Sequence, residues 1–341
     1  MTTYGIVTSY ATSLTVVGKD IAYAINKLGH HAVFHDYQVQ WYDAKKEFDR
    51  GIIFIPFDPL YAPSWFLLQR DYNLHGIPSV TYVTTEGEPK KWLVRDWIKR
   101  DCTFIANSNF TKRMLARIGV DVIDIIPHGI NLEFLRSIKP DKKKLKRELN
   151  AKIVFGTVAS NLPRKGLDSL ATVARKLSEK MPDARFYVLT TFQGALNFAG
   201  LKNVYVSKQF GKLSREEVLS LIGSFDFYIC SSYAEGFGLP VLEAEALGIP
   251  VIYPSYEPLT EITHPTANLP VKIEGEDYVD QEQGILYLIH KYNPDDMAEQ
   301  VEKAYEIYTC KPEKYEKMSK QVKEFAKKFD CVKTYSKFLE H

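Results

Sequence analysis

Residues 225–253, FDFYICSSYAEGFGLPVLEAEALGIPVIY, constrain the fold more than any other part of the chain. Phe227, Tyr228, Ile229 and Cys230 form a short apolar run suited to a buried parallel strand. Residues 231–238 read as a loop, in which Gly236 and Gly238 are free to take backbone angles denied to other residues. Pro240 falls in a first helical turn, where a missing N–H is tolerated, and Gly248 stops the helix. Strand, loop, helix and strand in this order make one unit of an open α/β sheet, which binds ligands beyond the carboxyl ends of its strands. With a helix starting near Leu239, both Glu235 and Glu243 can face that position. Read alone, the pair also fits a helix-capping glutamate followed by a solvated one.

The rest of the chain repeats the pattern. Short apolar runs at 4–8, 32–35, 52–56, 79–83, 103–106 and 122–126 alternate with helical patterns, as in a parallel sheet covered on both faces. A first helix is expected from about Gly18 to Leu28. Residues 135–149, LRSIKPDKKKLKREL, hold Pro140 and a run of cations and read as an interdomain linker with a solvated charged face. Beyond it, 153–158 is a buried strand and 167–177 an amphipathic helix, so Arg164 and Lys165 sit between a strand's carboxyl end and a helix N-terminus. Free N–H groups and the helix dipole favour an anion there. The two residues read either as a diphosphate grip, with the guanidinium able to hold two oxygens, or as ordinary surface cations. Further strands are expected at 185–190 and 204–206. A capping box, Ser214 with Glu217, opens a helix at 214–223. The last helical pattern aligns Tyr315, Met318, Val322, Phe325 and Phe329.

A length of 341 residues suggests about two domains. The net charge of +2 gives no global field for nucleic acid. Four cysteines, Cys102, Cys230, Cys310 and Cys331, show no C-x-x-C spacing, which fits a reducing compartment better than a disulfide scaffold or a zinc site. No apolar run approaches the roughly 18 residues of a membrane span, and a strand begins almost at once with no signal-peptide pattern ahead of it. A cytoplasmic protein is the expectation.

The segment SSYAEGFGLPVLEAEALGIPVI closely resembles the signature of glycosyltransferase family 4, the retaining nucleotide-sugar transferases of the GT-B fold. That signature has two glutamates separated by seven residues, GFGLP between them and an alanine-rich helix after. Both glutamates and all of GFGLP match. The R-K-G step at 164–166 resembles the family's phosphate-binding pair, and GILYLIHKYNPDDMAEQVEKA resembles the usual ending of its second domain. The resemblance implies two Rossmann-like domains facing across a cleft: an acceptor-side domain at 1–138, a nucleotide-sugar domain at 139–329, and a C-terminal helix at about 330–341 crossing back to the first. It implies Glu235, Arg164 and Lys165 as catalytic residues. Glu243 would hold the ribose, and Gly236, Phe237, Gly238, Leu239 and Gly18 would contact the donor. No cofactor or metal is expected, and the sequence contains no Asp-x-Asp pair to hold one. The partners implied are a nucleotide-sugar donor and a glycan or lipid acceptor, with no nucleic acid.

The chain also departs from the family. Only Gly18 stands where paired glycines often approach the donor phosphate. No histidine lies between His75 and His128, so the place of the family's cleft histidine falls to Thr84, Thr85 or Glu86. Thr85 and Glu86 are therefore candidate cleft contacts, Glu86 equally reading as a loop residue before Gly87. His128 replaces the asparagine of a proline–asparagine–glycine turn, and Gly129 is expected at φ > 0. These losses favour one rival, a protein that binds nucleotide sugar without transfer; the Glu235–Glu243 signature weighs against another, a GT-B sugar-nucleotide epimerase. Residues 89–100, PKKWLVRDWIKR, read as one helix with Leu93, Val94, Trp97 and Ile98 inward. Trp92 would lie outward among Lys91, Arg95 and Lys99, the composition of a helix resting on an anionic membrane surface.

Overall fold

Apolar runs of four to seven residues bounded by turn formers cannot complete a helix's buried stripe, and along this chain they pair side by side instead. The computed structural model describes residues 1–8, 12–35, 48–57, 62–281 and 284–341. The chain divides into two compact units: 1–131 with 278–288 and 328–341, and 132–277 with 289–327. The boundary thus falls after Asn131, earlier than the expected 138.

In the first unit the strands are β1 (Thr3–Thr8), β2 (His31–His35), β3 (Arg50–Pro56), β4 (Ser79–Thr84), β5 (Gly87–Pro89), β6 (Phe104–Ala106) and β7 (Val122–Ile125). Among the described residues, six of them form a sheet in the order β2-β1-β3-β4-β6-β7, every pairing parallel. The first helix is Thr12–Lys27, beginning more than a turn before the expected start. Its β-branched residues lower helix propensity by only a few tenths of a kcal/mol each, while Leu14, Val17 and Ile21 are all buried; packing decides. Gly18 therefore lies inside a helix and not in a phosphate loop. A Cβ there would sit 2.4 Å from the Phe34 ring, so its small size serves helix–strand packing.

Two other expectations are corrected here. Gly129 does not adopt a positive φ. It is small because the helix Cys331–Tyr335 passes so close that a Cβ would lie 2.5 Å from the Cys331 Cα. The contact is fixed on both sides: Cys331 N donates to Ile130 O at 3.0 Å, and Gly129 N donates to the Tyr335 hydroxyl at 2.9 Å. Beside it, His128 is buried between the Tyr82 hydroxyl at 2.7 Å and the Asn107 amide at 3.2 Å. Burial pushes its pKa down to about 3, so the ring is neutral at ordinary pH. Residues 89–100 are likewise not one helix. A 3-10 turn, Lys91–Leu93, is followed by a separate helix, Asp96–Asp101, with Val94 and an extended Arg95 between them. The inward set Leu93, Val94 and Ile98 is buried and Trp92 is 59% exposed, as the pattern predicts, but Trp97 is half-buried under the Arg70 guanidinium.

In the second unit the strands are β8 (Ile153–Val158), β9 (Ala184–Leu189), β10 (Val204–Ser207), β11 (Phe227–Ile229), β12 (Val251–Pro254) and β13 (Leu269–Val271). They form a parallel sheet in the order β10-β9-β8-β11-β12-β13. One face is a continuous apolar core. Phe155 stacks on Phe186 at 5.5 Å and on Phe227 at 5.8 Å across three adjacent strands, under Leu170, Val173 and Leu177 of the helix Leu167–Leu177 and Val301, Met318 and Val322 of the C-terminal helices. Each such fully buried side chain contributes about 1.5–3 kcal/mol. The last helical pattern is the helix Pro312–Ala326, which follows a separate helix Pro294–Cys310 and ends in a 3-10 turn, Lys327–Phe329. Asp330 then caps the helix that follows, accepting from Val332 N. A third, small sheet joins β14 (Gly275–Asp280) and β15 (Ile285–Lys291), the latter antiparallel to β5. The sequence does not announce β14, because its side chains are mostly exposed and lack a buried face.

The cation run of the linker is also more than a solvated face. In the helix Lys142–Leu149, Lys146 Nζ lies 2.9 Å from Asp226 Oδ2 and Lys142 Nζ lies 4.0 Å from Oδ1, with Asp226 buried at the edge of β11. Asp226 also accepts from Val154 N at 2.9 Å. Removing one partner of a buried pair costs about 3–5 kcal/mol. Lys146→Ala should therefore lower stability by about 3 kcal/mol in urea denaturation, while Lys143→Ala stays within about 0.5 kcal/mol. Equal, small losses for both would restore the solvated-face reading.

Candidate active site

The strand order of the second sheet reverses between β8 and β11, and at such a switch point the loops leaving the two strands diverge and open a crevice. From β8 the chain runs through a 3-10 turn, Pro163–Lys165, to Gly166 and the helix Leu167–Leu177. From β11 it runs through 230–238 to the helix Leu239–Ala246. Gly238 has φ +97° and no side chain caps the helix it precedes. The Leu239 N–H stands in the first turn, where no intrahelical acceptor exists. Of the two loop glycines only Gly238 takes a left-handed angle.

The two loops are stitched together residue by residue. Tyr233 N donates to Arg164 O at 2.7 Å. Arg164 Nη1 donates to Ala234 O at 3.1 Å, and the Ser231 hydroxyl donates to Lys165 O at 2.8 Å. Across this seam Lys165 Nζ lies 2.6 Å from Glu235 Oε1, and Arg164 Nη1 lies 3.7 Å from Oε2. The three side chains are 12–18% exposed. Burial alone would raise the Glu235 pKa, but the charges of Lys165 and then Arg164 outweigh it and hold the carboxyl below its ordinary value. A narrow cavity opens here, lined by Thr157, Lys165, Tyr228, Ser232, Glu235 and Gly238 among others.

Glu243 lies on the helix, 2% exposed, and pairs with the Arg215 guanidinium. Arg215 is held by the expected capping box, in which Ser214 and Glu217 satisfy each other's backbone at the start of Arg215–Ser224. Sequence reasoning missed Arg215, because nothing local links it to a residue so far along the chain. Two residues beyond Glu243, Glu245 is fully buried, and burial pushes its pKa up to about 8 despite bonds from His264 N and the Asn268 amide.

Three aromatic side chains, also missed, fix the signature loop by its carbonyls. The Tyr292 hydroxyl donates to Ser231 O at 2.7 Å and the Tyr256 hydroxyl to Ser232 O at 2.9 Å. His290 donates to Tyr233 O through its backbone N at 2.8 Å, and its Nδ1 lies 3.1 Å from the same oxygen. The His290 ring stacks on Tyr256 at 3.9 Å, and its Nε2 faces Glu276 at 3.4 Å. With Nδ1 donating, these partners set the orientation of the ring. No spacing in the sequence points to this trio.

Glu235, Lys165 and Gly238 line the cavity, Arg164, Gly236, Phe237 and Leu239 lie in the same turn, loop and helix start, and Glu243 lies further along that helix. Gly18, Thr85 and Glu86 belong to the other unit. The Thr85 hydroxyl donates to Gly87 O at 2.8 Å and closes its own turn. Among the described residues no cluster of His, Cys, Asp and Glu is arranged to hold a metal ion. A pair of cations beside two helix starts, with one carboxylate between them, can bind an anionic group and present an acceptor of hydroxyl hydrogen bonds next to it.

An α/β chain of two Rossmann-like units with these parallel sheets has the GT-B fold. The family model of glycosyl transferases group 1 matches residues 138–325, and the chain belongs to that family: it is a glycosyltransferase. An uncharacterized glycosyltransferase of Sulfolobus islandicus rod-shaped virus 1 is 32% identical over 98% of this chain and 99% of its own. The solved structure of a glycosyltransferase from Rickettsia africae shares the fold with a TM-score of 0.75 at 15% identity, covering 99% of this chain and 97% of that one. A structure from Anabaena, in complex with UDP and glucose, does so with a TM-score of 0.74 at 14% identity, covering 100% and 99%.

The depressed Glu235 pKa fixes the sign of a stability test. A carboxyl whose folded pKa is lowered contributes stability above its unfolded pKa and loses it as pH falls through the folded value. Glu235→Gln should therefore lower the urea midpoint at pH 7, and the gap to wild type should narrow as the pH drops below the ordinary glutamate value. A gap that holds constant into acid would show that Lys165 and Arg164 do not stabilise the carboxylate.

Proposed function

We propose that this glycosyltransferase is a retaining enzyme of family 4. It moves a sugar from a nucleoside-diphosphate donor to a hydroxyl of a glycan, lipid or protein-linked acceptor, without a metal ion. The observation that carries the reading is the partly buried Lys165–Glu235 pair, with Arg164 alongside, at the switch point of the second sheet. When a donor binds, its diphosphate competes with Glu235 for the two cations. Charge builds on the leaving diphosphate as the bond from the anomeric carbon to its oxygen breaks, and Arg164, Lys165 and the backbone N–H groups at 237–239 offset it. The acceptor oxygen forms the new bond on the same face of the sugar, its proton passing to a departing phosphate oxygen. Glu235, released from Lys165, turns to the donor sugar's hydroxyls and the developing positive centre. Glu243, held in place by Arg215, takes the ribose hydroxyls. The Anabaena structure contains UDP and glucose, which makes UDP-glucose the first donor to test.

Glu235→Ala should lower turnover on the order of a hundredfold or more at saturating donor, while Glu243→Ala should mainly raise the donor KM. Intact turnover in Glu235→Ala would sink the assignment. Transfer should also persist in EDTA; activity that vanishes with chelation and returns with manganese would show a metal requirement.

A further inference from the structure

On the side of the second sheet opposite its core, β9 and β10 are only partly covered. Tyr187 and Tyr205 sit directly opposite each other in the register of these strands, ring centroids 5.0 Å apart and tilted by 35°, and Tyr205 is 50% exposed although it lies in a strand. The helices Lys142–Leu149 and Arg215–Ser224 flank them and leave a groove of about 600 Å³, within the size range of small-molecule sites. Its walls are polar. Glu148, Glu216, Ser214 and Ser220 line it, with Leu145, Leu149 and Leu221 as the apolar contribution.

We propose that this groove is a second binding site, separate from the transfer site, for a neutral saccharide chain. A pair of adjoining aromatic rings with one face open gives a platform for the apolar C–H face of a pyranose. Carboxylates and hydroxyls at the rim accept and donate to the ring hydroxyls. Two of the acids are already engaged: Asp141 caps its helix by accepting from Lys144 N, and Glu217 closes the capping box. Glu148 and Glu216 are exposed at the rim, with Lys144 4.0 Å from Glu148. Four acids against one lysine along the lining disfavour phosphate, nucleotide and anionic lipid. Too few apolar residues line the groove to bury the stripe of an amphipathic helix. A hydroxyl-rich, uncharged chain fits both the rings and the charge. In an enzyme whose product is a glycoside, such a site holds a growing or polymeric saccharide to the second unit between transfers.

Saturation-transfer NMR with hexasaccharides of glucose, mannose and N-acetylglucosamine, in the absence of any nucleotide, tests this independently of transfer chemistry. At least one should bind at millimolar concentration. Tyr205→Ala should weaken binding about tenfold, and Tyr205→Phe should keep it. The double variant Glu148→Lys/Glu216→Lys should weaken it without touching the platform, and Glu235→Gln should bind as wild type does. Circular dichroism checks that each variant folds. Binding by none of the three probes, equal binding by Tyr205→Ala and wild type, or displacement by an oligolysine peptide of higher affinity would overturn the proposal.

Discussion

The Lys165–Glu235 ion pair joins two loops that the sheet itself drives apart. At the reversal of strand order, the chain leaving β8 turns one way and the chain leaving β11 the other. Each loop brings like-minded groups: Arg164 and Lys165 on one, a carboxylate on the other. Without Glu235 the two cations would face each other at low solvent exposure, where charge repulsion is weakly screened. Without the cations the carboxylate would be buried alone, at a cost of several kcal/mol. The pair satisfies both, and the backbone seam of Tyr233 N to Arg164 O and Arg164 Nη1 to Ala234 O fixes its geometry.

That seam depends in turn on groups far along the chain. A loop holding a buried ion pair exposes its own carbonyls to the interior, and buried carbonyls need donors. Tyr292, Tyr256 and His290 supply them to three consecutive residues, 231–233. Each aromatic body fills space while its polar tip reaches the backbone, so the loop is packed and hydrogen-bonded by the same side chains. The result is a site held by rigid elements, as close electrostatic control of a transferring group requires.

What the sequence made legible follows from how local each feature is. Strand, loop and helix at 225–253 lie within one continuous segment, and their letters carry Glu235, Gly238, Pro240 and Glu243 together. Arg164 and Lys165 are readable for the same reason: strand, turn and helix start are contiguous. Arg215, Tyr256, His290 and Tyr292 act only through the folded backbone, and no period or spacing marks them. Gly18 lies inside the first helix because burial of Leu14 and Val17 outweighs the lower helix propensity of the β-branched residues before it. The signal at Gly129 was true and its cause was not: the residue is small for a passing chain, not for a turn. Lys142 and Lys146 looked like solvent charges because Asp226, their partner, lies many residues away.

Within one loop and helix the chain places three carboxyl groups in three different environments. Glu235 is buried beside two cations and stays ionised below the ordinary range. Glu243 is buried against one guanidinium, that of Arg215. Glu245 is buried with amide donors and no cation, and its pKa rises to about 8, so at neutral pH it is mostly the acid. The residues are chemically the same and two of them stand in the same helix. What separates them is the partner each neighbouring element offers, a lysine, an arginine or an asparagine amide. Glu243 thus has a guanidinium to offset its burial, while Glu245, with only amide donors, is held neutral. A helix with both faces ionised would need a second buried cation to fold at all. By keeping Glu245 protonated, the fold needs cations only beside Glu235 and Glu243, where Lys165 and Arg215 supply them.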